Sequence, residues 1–184
     1  MGVDKKKKIL EAALKLFNEK GIDNTSTSLI SKEAGVATGT LYIYFETKVD
    51  LIMELGTSIQ EERYESFMDL IGSPMGYESL KKFWLERVEW GVDNPDKHQF
   101  LKQFKASPYN KNIKLKIQDH NEKLSNLIEN GIKARLLKDI TPKYISKFFS
   151  NHVSFTVEYI IQSGTLEREL FFDTFFDGIK YQQS

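Results

Sequence analysis

Residues 37–48 read "ATGTLYIYFETK", and how this stretch is read decides the fold. It carries no charged side chain before Glu46, keeps a glycine at position 39, and sets Tyr42, Ile43 and Tyr44 in a row. A helix built only for stability and solubility would place Ala, Glu and Lys there. Leu41 and Phe45, four residues apart, are spaced to anchor one helical face in a core. The opposite face then presents Thr38, Gly39, Thr40 and Ile43, with Tyr42 and Tyr44 at its sides.

Just upstream, the hydroxyl cluster "TSTS" at residues 25–28 predicts the start of another short helix, about 27–34, burying Leu29 or Ile30 and ending at Gly35. Two short helices joined by a three-residue turn have the layout of a helix-turn-helix. Ala34 is small where the helices cross, Gly35 takes a left-handed turn without a Cβ penalty, and Val36 plugs the corner. An uncharged face of short side chains allows close approach to a groove. Thr and Tyr hydroxyls there reach phosphate oxygens, and the methyls of Thr40 and Ile43 reach thymine methyls. Lys48, at the start of the next helix, is placed for a phosphate, as are Thr27 and Ser28. Spacing alone also fits Tyr42 and Tyr44 to a core, and Thr27 or Ser28 to simple capping.

Further out, apolar residues recur at helical spacing nearly everywhere, and only four prolines interrupt the chain. The class is all-α, with about nine helices. The first runs from about Lys5 to Lys20, with Asp4 as its cap, Ile9, Ala13 and Phe17 facing inward, and Gly21 as its stop. A long fourth helix follows from about Lys48 to Leu70, closed by "GSP" at residues 72–74. Later helices are expected at about 77–92, 96–106, 110–136, 142–162 and 166–181.

Composition excludes several functions. The 184 residues hold 26 basic and 26 acidic side chains, so no net field attracts a polyanion. Residues 1–48 carry eight lysines and six acids, so Lys48 and the Lys5–Lys8 run, which otherwise reads as a solvated helix start, supply what local attraction there is. The absence of cysteine removes disulfides and thiolate chemistry. The longest run without Asp, Glu, Lys or Arg is twelve residues, Ala34 to Phe45, too short for a membrane helix. No signal-peptide core opens the chain, so a cytoplasmic protein is expected. HExxH, P-loop and GxSxG patterns are missing, as is a Glu-x-x-His pair. No enzymatic activity, cofactor or metal is expected.

The order "ILEAALKLFNEKGIDNTS", then "ISKEAGVATGTLYIYFETKVDL", resembles the TetR family of bacterial transcriptional regulators over about residues 8–55. The string Gly39, Leu41, Tyr42, Tyr44, Phe45, Lys48 and Leu51 after Ala34 and Gly35 carries the likeness. The resemblance implies a DNA-binding domain at 1–50 and a ligand-binding and dimerisation domain at 51–184. It implies a homodimer, paired through the last two helices, whose third helices enter successive major grooves of a palindromic operator in double-stranded DNA. By position, the DNA contacts would be Thr27, Ser28, Thr38, Gly39, Thr40, Tyr42, Ile43, Tyr44 and Lys48. Position 28, often Arg in such proteins, is Ser, and Ile43 replaces a frequent aromatic or His. No arginine precedes Arg63, so a bidentate arginine-to-guanine contact cannot come from this head, and A·T-rich half-sites are expected.

Seven of the thirteen phenylalanines lie in residues 142–181. Two helices cannot hide them all in one small core; Leu170 with Phe171, and Phe175 with Ile179, are expected inside, leaving Phe172 and Phe176 for a second surface. A small hydrophobic or aromatic effector is expected among Tyr64, Phe67, Trp84, Arg87, Trp90, Phe104, His120 and His152, although aromatic stripes at this spacing also make ordinary cores. The mechanism this implies is repression released when ligand shifts the population toward a dimer unsuited to DNA, transmitted by the fourth helix. The alternative is an architectural or regulatory DNA-binding protein without an effector.

Overall fold

The computed structural model describes residues 2–66, 76–112 and 125–182. Among them the secondary structure is helical, apart from one isolated bridge between Leu137 and Lys180. In chain order the helices are α1 (Gly2–Lys20), α2 (Thr27–Glu33), α3 (Thr38–Tyr44), α4 (Lys48–Glu65), α5 (Tyr77–Asp93), α6 (Pro95–Ala106), α7 (125–133), α8 (Pro142–Ser163) and α9 (Arg168–Ile179), with a 3-10 turn at Pro108–Asn112. The all-α expectation is met. Asp4 does not cap the first helix, because the helix already runs from Gly2. The fourth helix ends at Glu65, short of the expected Leu70, with Ser66 in a turn. The break at 72–74 and most of the expected 110–136 helix lie outside the described residues, though the last turns of the latter end earlier than expected, at 133.

The chain divides into two compact units, Met1–Glu62 with Asp96–Lys114, and Arg63–Pro95 with Leu115–Ser184. This differs from a division at residue 50. The first unit takes most of α4 and recruits α6, and aromatic packing explains why: Phe17 stacks on Phe100 at 5.9 Å, and Phe100 on Phe104 at 5.9 Å. Gly56 of α4 is what lets Phe104 in, since a Cβ there would fall 2.6 Å from the ring. Polar ties follow the same path: Asn18 Nδ2 donates to the Asp96 carbonyl at 2.8 Å and Lys97 pairs with Glu62.

In the second unit, α5 packs along α8, with α9 against both. Its core is aromatic: Phe83 stacks on Phe149 at 5.1 Å, and Trp84 meets Phe172 edge-on at 5.7 Å. Gly164, at φ 69°, ends α8 in the left-handed conformation and its N–H caps the Ile160 carbonyl. The face of α9 differs from the sequence expectation. Phe172, Phe175 and Ile179 are buried, whereas Leu170 is 58% exposed and Phe171 and Phe176 are half-buried. The triplet 172, 175, 179 is itself a helical stripe, and Trp84 and Tyr77 both offer ring edges to Phe172, so that ring rather than Leu170 takes the inner position.

Candidate nucleic-acid interface

The connection after α1 is built from local hydrogen bonds. Gly21, at φ 85°, donates to the Phe17 carbonyl at 2.9 Å and stops the helix. The buried Thr25 hydroxyl then reaches the carbonyls of Gly21 (2.8 Å) and Leu16 (3.2 Å), fixing the loop against the end of α1. Ser26, rather than Thr27 or Ser28, is the N-cap of α2: its hydroxyl accepts from Leu29 N–H at 3.2 Å. Thr27 and Ser28 are thereby left to one side of the helix start.

The turn between α2 and α3 is a Schellman motif. Val36 N–H bonds the Ser31 carbonyl at 3.0 Å and Gly35 N–H bonds that of Lys32 at 3.2 Å, with Gly35 at φ 66°. A side chain at 35 would meet left-handed strain, though nothing blocks the space itself. The motif sets the exit direction of the chain into α3. Ile30, Leu41 and Phe45 then close the core beneath both helices, Ile30 and Leu41 fully buried and Phe45 3% exposed. Ile30, not Leu29, is the inward residue of α2.

With Leu41 and Phe45 held from behind, the rest of α3 faces outward. Thr38, Gly39, Tyr42 and Ile43 are exposed, and Thr40 and Tyr44 half-buried. Ile43 leaves 80% of its surface to solvent, which no core role explains. The Tyr42 hydroxyl lies 3.0 Å from that of Thr27, joining the start of α2 to the middle of α3. Ser28 is exposed and shares a 3.0 Å hydrogen bond with Ser26. Lys48 is half-buried and donates from Nζ to the Asp23 carbonyl at 3.2 Å. The structure therefore places all nine sequence-predicted residues, Thr27 to Lys48, on one unit with accessible surface.

Two charges near this face are committed elsewhere. Asp50 and Thr47 form a reciprocal cap at the start of α4, the carboxylate accepting from Thr47 N–H (2.9 Å) and its hydroxyl (2.7 Å) while Asp50 N–H returns to Thr47 Oγ1 (3.1 Å). Lys6 pairs with Glu54 at 2.7 Å and sits 5.8 Å from the Phe45 ring, so this member of the lysine run braces α1 against α4.

The residues expected at an effector site fall in two places. Phe104 lies in the first unit, in the α4–α6 packing described above. Tyr64, Trp84, Arg87 and Trp90 are buried in the second unit, and His152 is half-buried there, 5.7 Å from Trp84 and 5.3 Å from Phe175. Burial holds the His152 imidazole below its ordinary pKa. Phe67 and His120 lie outside the described residues. The sequence reading passed over Arg63, whose guanidinium sits 5.6 Å from the Tyr64 ring and 5.8 Å from that of Trp90. In "EERYE" it reads as one more solvated charge, and only the fold turns it toward Trp90.

Residues 9–55 match the family model described as "Bacterial regulatory proteins, tetR family". An uncharacterised HTH-type transcriptional regulator of Bacillus subtilis, YhgD, is 42% identical over 62 residues, 34% of this chain and 32% of that protein. The fatty acid metabolism regulator protein of the same organism is 43% identical over 47 residues, 26% of this chain and 24% of that one. The matched stretch thus spans about a third or less of these curated relatives. Likeness in structure extends further. A TetR family transcription regulator from Marinobacter aquaeolei superposes with a TM-score of 0.80 at 25% identity, covering 97% of both chains. One from Shewanella, described as a putative tetR family regulator, gives 0.77 at 25% identity over 97% of this chain and 99% of the other. The helix-turn-helix thus matches the TetR family model in sequence, and the helices match those of TetR family transcription regulators nearly end to end in structure.

Proposed function

We propose that this protein is a DNA-binding transcriptional repressor that acts as a homodimer and leaves its operator when a small hydrophobic or aromatic ligand binds the second unit. The observation that carries the DNA-binding part is the outward face of α3: exposed Thr38, Gly39, Tyr42 and Ile43 over a core of Leu41 and Phe45. Charge-free side chains and an unencumbered glycine suit close approach to base edges and thymine methyls. Thr27, Ser28, Tyr44 and Lys48 flank that face and hold the phosphate backbone, fixing register. Lys48 already donates to a carbonyl, so its ammonium is oriented before DNA arrives.

Pairing of two copies is supported by apolar surface on α8 and α9. Tyr144, Phe155 and Tyr159 on α8, with Leu166 just before α9 and Leu170 on it, are 45–77% exposed. Phe155 and Tyr159 stack at 6.2 Å, and Tyr159 meets Phe171 edge-on at 5.6 Å, so these three rings form one continuous patch. A patch of this kind on both copies is self-complementary about a two-fold axis, which matches a palindromic operator. In the effector role, α4 is the carrier, because it begins with Lys48 and continues to Tyr64. Ligand that prefers one placement of α4 biases the heads against DNA by its differential affinity alone.

The experiment is a fluorescence-anisotropy titration of the intact protein on a duplex recovered by its own binding from random sequence, run beside sedimentation analysis. Salt-dependent binding of a two-fold symmetric site by a dimer is the expected result. A monomer at micromolar concentration, or binding indifferent to sequence, contradicts the proposal.

A further inference from the structure

Asp23 sits in the loop between α1 and α2 and is bonded from two sides. Its carbonyl accepts from Lys48 Nζ at 3.2 Å, and its carboxylate Oδ1 accepts from the Tyr109 hydroxyl at 3.5 Å. Tyr109 belongs to the 3-10 turn Pro108–Asn112 that follows α6, 86 residues further along the chain. All three residues lie in the first unit, so the contact is internal to it.

The surroundings make Asp23 adjustable and Tyr109 fixed. Asp23 is exposed between the buried Ile22 and Thr25, so the chain is pinned on both sides of it while its own peptide stands in solvent. The turn that carries Tyr109 is fastened to the end of α6. Ser107 N–H and Oγ both donate to the Phe104 carbonyl, at 3.2 and 2.7 Å, and Asn110 N–H donates to the Ser107 carbonyl at 3.4 Å. α6 in turn is held against α1 by the Phe17–Phe100 stack and by Gln103 Nε2, which donates to Asn18 Oδ1 at 3.3 Å. The phenol hydroxyl thus ties an exposed loop residue to a point fixed by the core.

Lys48 is affected in two ways. An ammonium has three N–H donors, so one bond to the Asp23 carbonyl leaves two for a phosphate while restricting the rotamer freedom of a long side chain. The second effect is electrostatic. Asp23 gives Lys48 its carbonyl and Tyr109 its carboxylate. A carboxylate released from Tyr109 is within a side chain's reach of the same ammonium and would compete with phosphate for it.

We propose that Tyr109 is a positioning residue for DNA binding: it holds the Asp23 carboxylate aside and the Asp23 carbonyl in place, and so keeps the Lys48 ammonium directed at phosphate. The DNA-binding head thereby extends to a residue far outside the helix-turn-helix. This rests on the reading of Lys48 as a phosphate contact.

The intact protein and the variants Tyr109→Phe, Lys48→Ala and the two combined are titrated on the selected duplex over a range of salt concentrations, with melting temperatures measured alongside. Tyr109→Phe keeps the ring and leaves the melting temperature close to that of the wild type. Its operator affinity falls about three- to tenfold, and the dependence of log affinity on log salt becomes shallower, as a weakened phosphate contact requires. In the Lys48→Ala background the same substitution causes no further loss. Weaker binding by Lys48→Ala with Tyr109→Phe unchanged overturns the proposal and leaves the phosphate reading intact. An additive loss in the double variant, or a loss with an unaltered salt slope, also overturns it, because Tyr109 then acts independently of Lys48. If Lys48→Ala itself holds DNA as the wild type does, the phosphate reading fails and the positioning role falls with it.

Discussion

The hydroxyl of Tyr42 lies 3.0 Å from that of Thr27, so the middle of α3 and the start of α2 share one hydrogen bond on the outer face of the head. Both residues are set by the core behind them, Tyr42 by Leu41 and Thr27 by Ile30. The pair therefore acts as a preformed element and not as two separate contacts. Tyr42→Phe keeps the ring and removes the hydroxyl. Because the bond is solvent-exposed, the melting temperature should stay within a degree or two, while operator affinity falls about five- to tenfold, the equivalent of roughly one neutral hydrogen bond. Anisotropy titration against differential scanning calorimetry checks the split.

Gly56 and Phe104 predict a steric conflict. A Cβ at 56 would come within 2.6–2.8 Å of three atoms of the Phe104 ring, and that ring is 1% exposed, with little room to swing. Gly56→Ala should destabilise the first unit by about 1–3 kcal/mol despite its better helix propensity. Phe104→Leu in the same chain should recover part of the loss, giving a non-additive double-mutant cycle in chemical denaturation.

The α9 face separates core from surface. Phe172 is fully buried, so Phe172→Ala should cost about 3–5 kcal/mol by removing a large ring from a packed interior. Leu170, at 58% exposure, should cost little in the isolated chain. If the α8 and α9 patch joins two copies, Leu170→Lys weakens the dimer in sedimentation while each copy remains folded.

His152 gives a pH signature. Its folded pKa lies below the ordinary 6.5 because burial disfavours the imidazolium. As pH falls below 6.5 the unfolded chain takes up this proton first, so stability declines until the folded pKa is passed. His152→Leu should flatten the stability curve between about pH 7 and 5 relative to the wild type, measured by denaturant midpoint.

The head was largely legible in the sequence because its signals are local. Gly21 and Gly35 are needed at positive φ, and Leu41 and Phe45 are buried as their spacing indicates. Within "TSTS" the cap is Ser26 and neither Thr27 nor Ser28, because four hydroxyls in a row make the choice depend on loop geometry: Thr25 is pulled inward by two carbonyls, leaving Ser26 to cap. The recruitment of α6 to the first unit was not legible, since Phe17, Gly56, Phe100 and Phe104 meet only through tertiary packing. The rotation of α9 escaped for a related reason. In "LFFDTFF" two adjacent pairs of Phe fit either of two helical faces, and partners on α5 decide between them. Arg63 shows the same limit: a charge in a charged run gives no sign that its neighbour in space will be Trp90.

The most direct test of the account is operator retention by a variant with Tyr42→Ala and Lys48→Ala together. Circular dichroism must first show an unchanged fold, which the accessible surface of both residues favours. Affinity for the selected duplex is then measured at moderate salt. Loss of about two orders of magnitude, from one base-facing and one phosphate-facing group on each head, is the predicted result. Retention equal to the wild type would contradict the claim that the uncharged face of α3 is the surface that meets DNA.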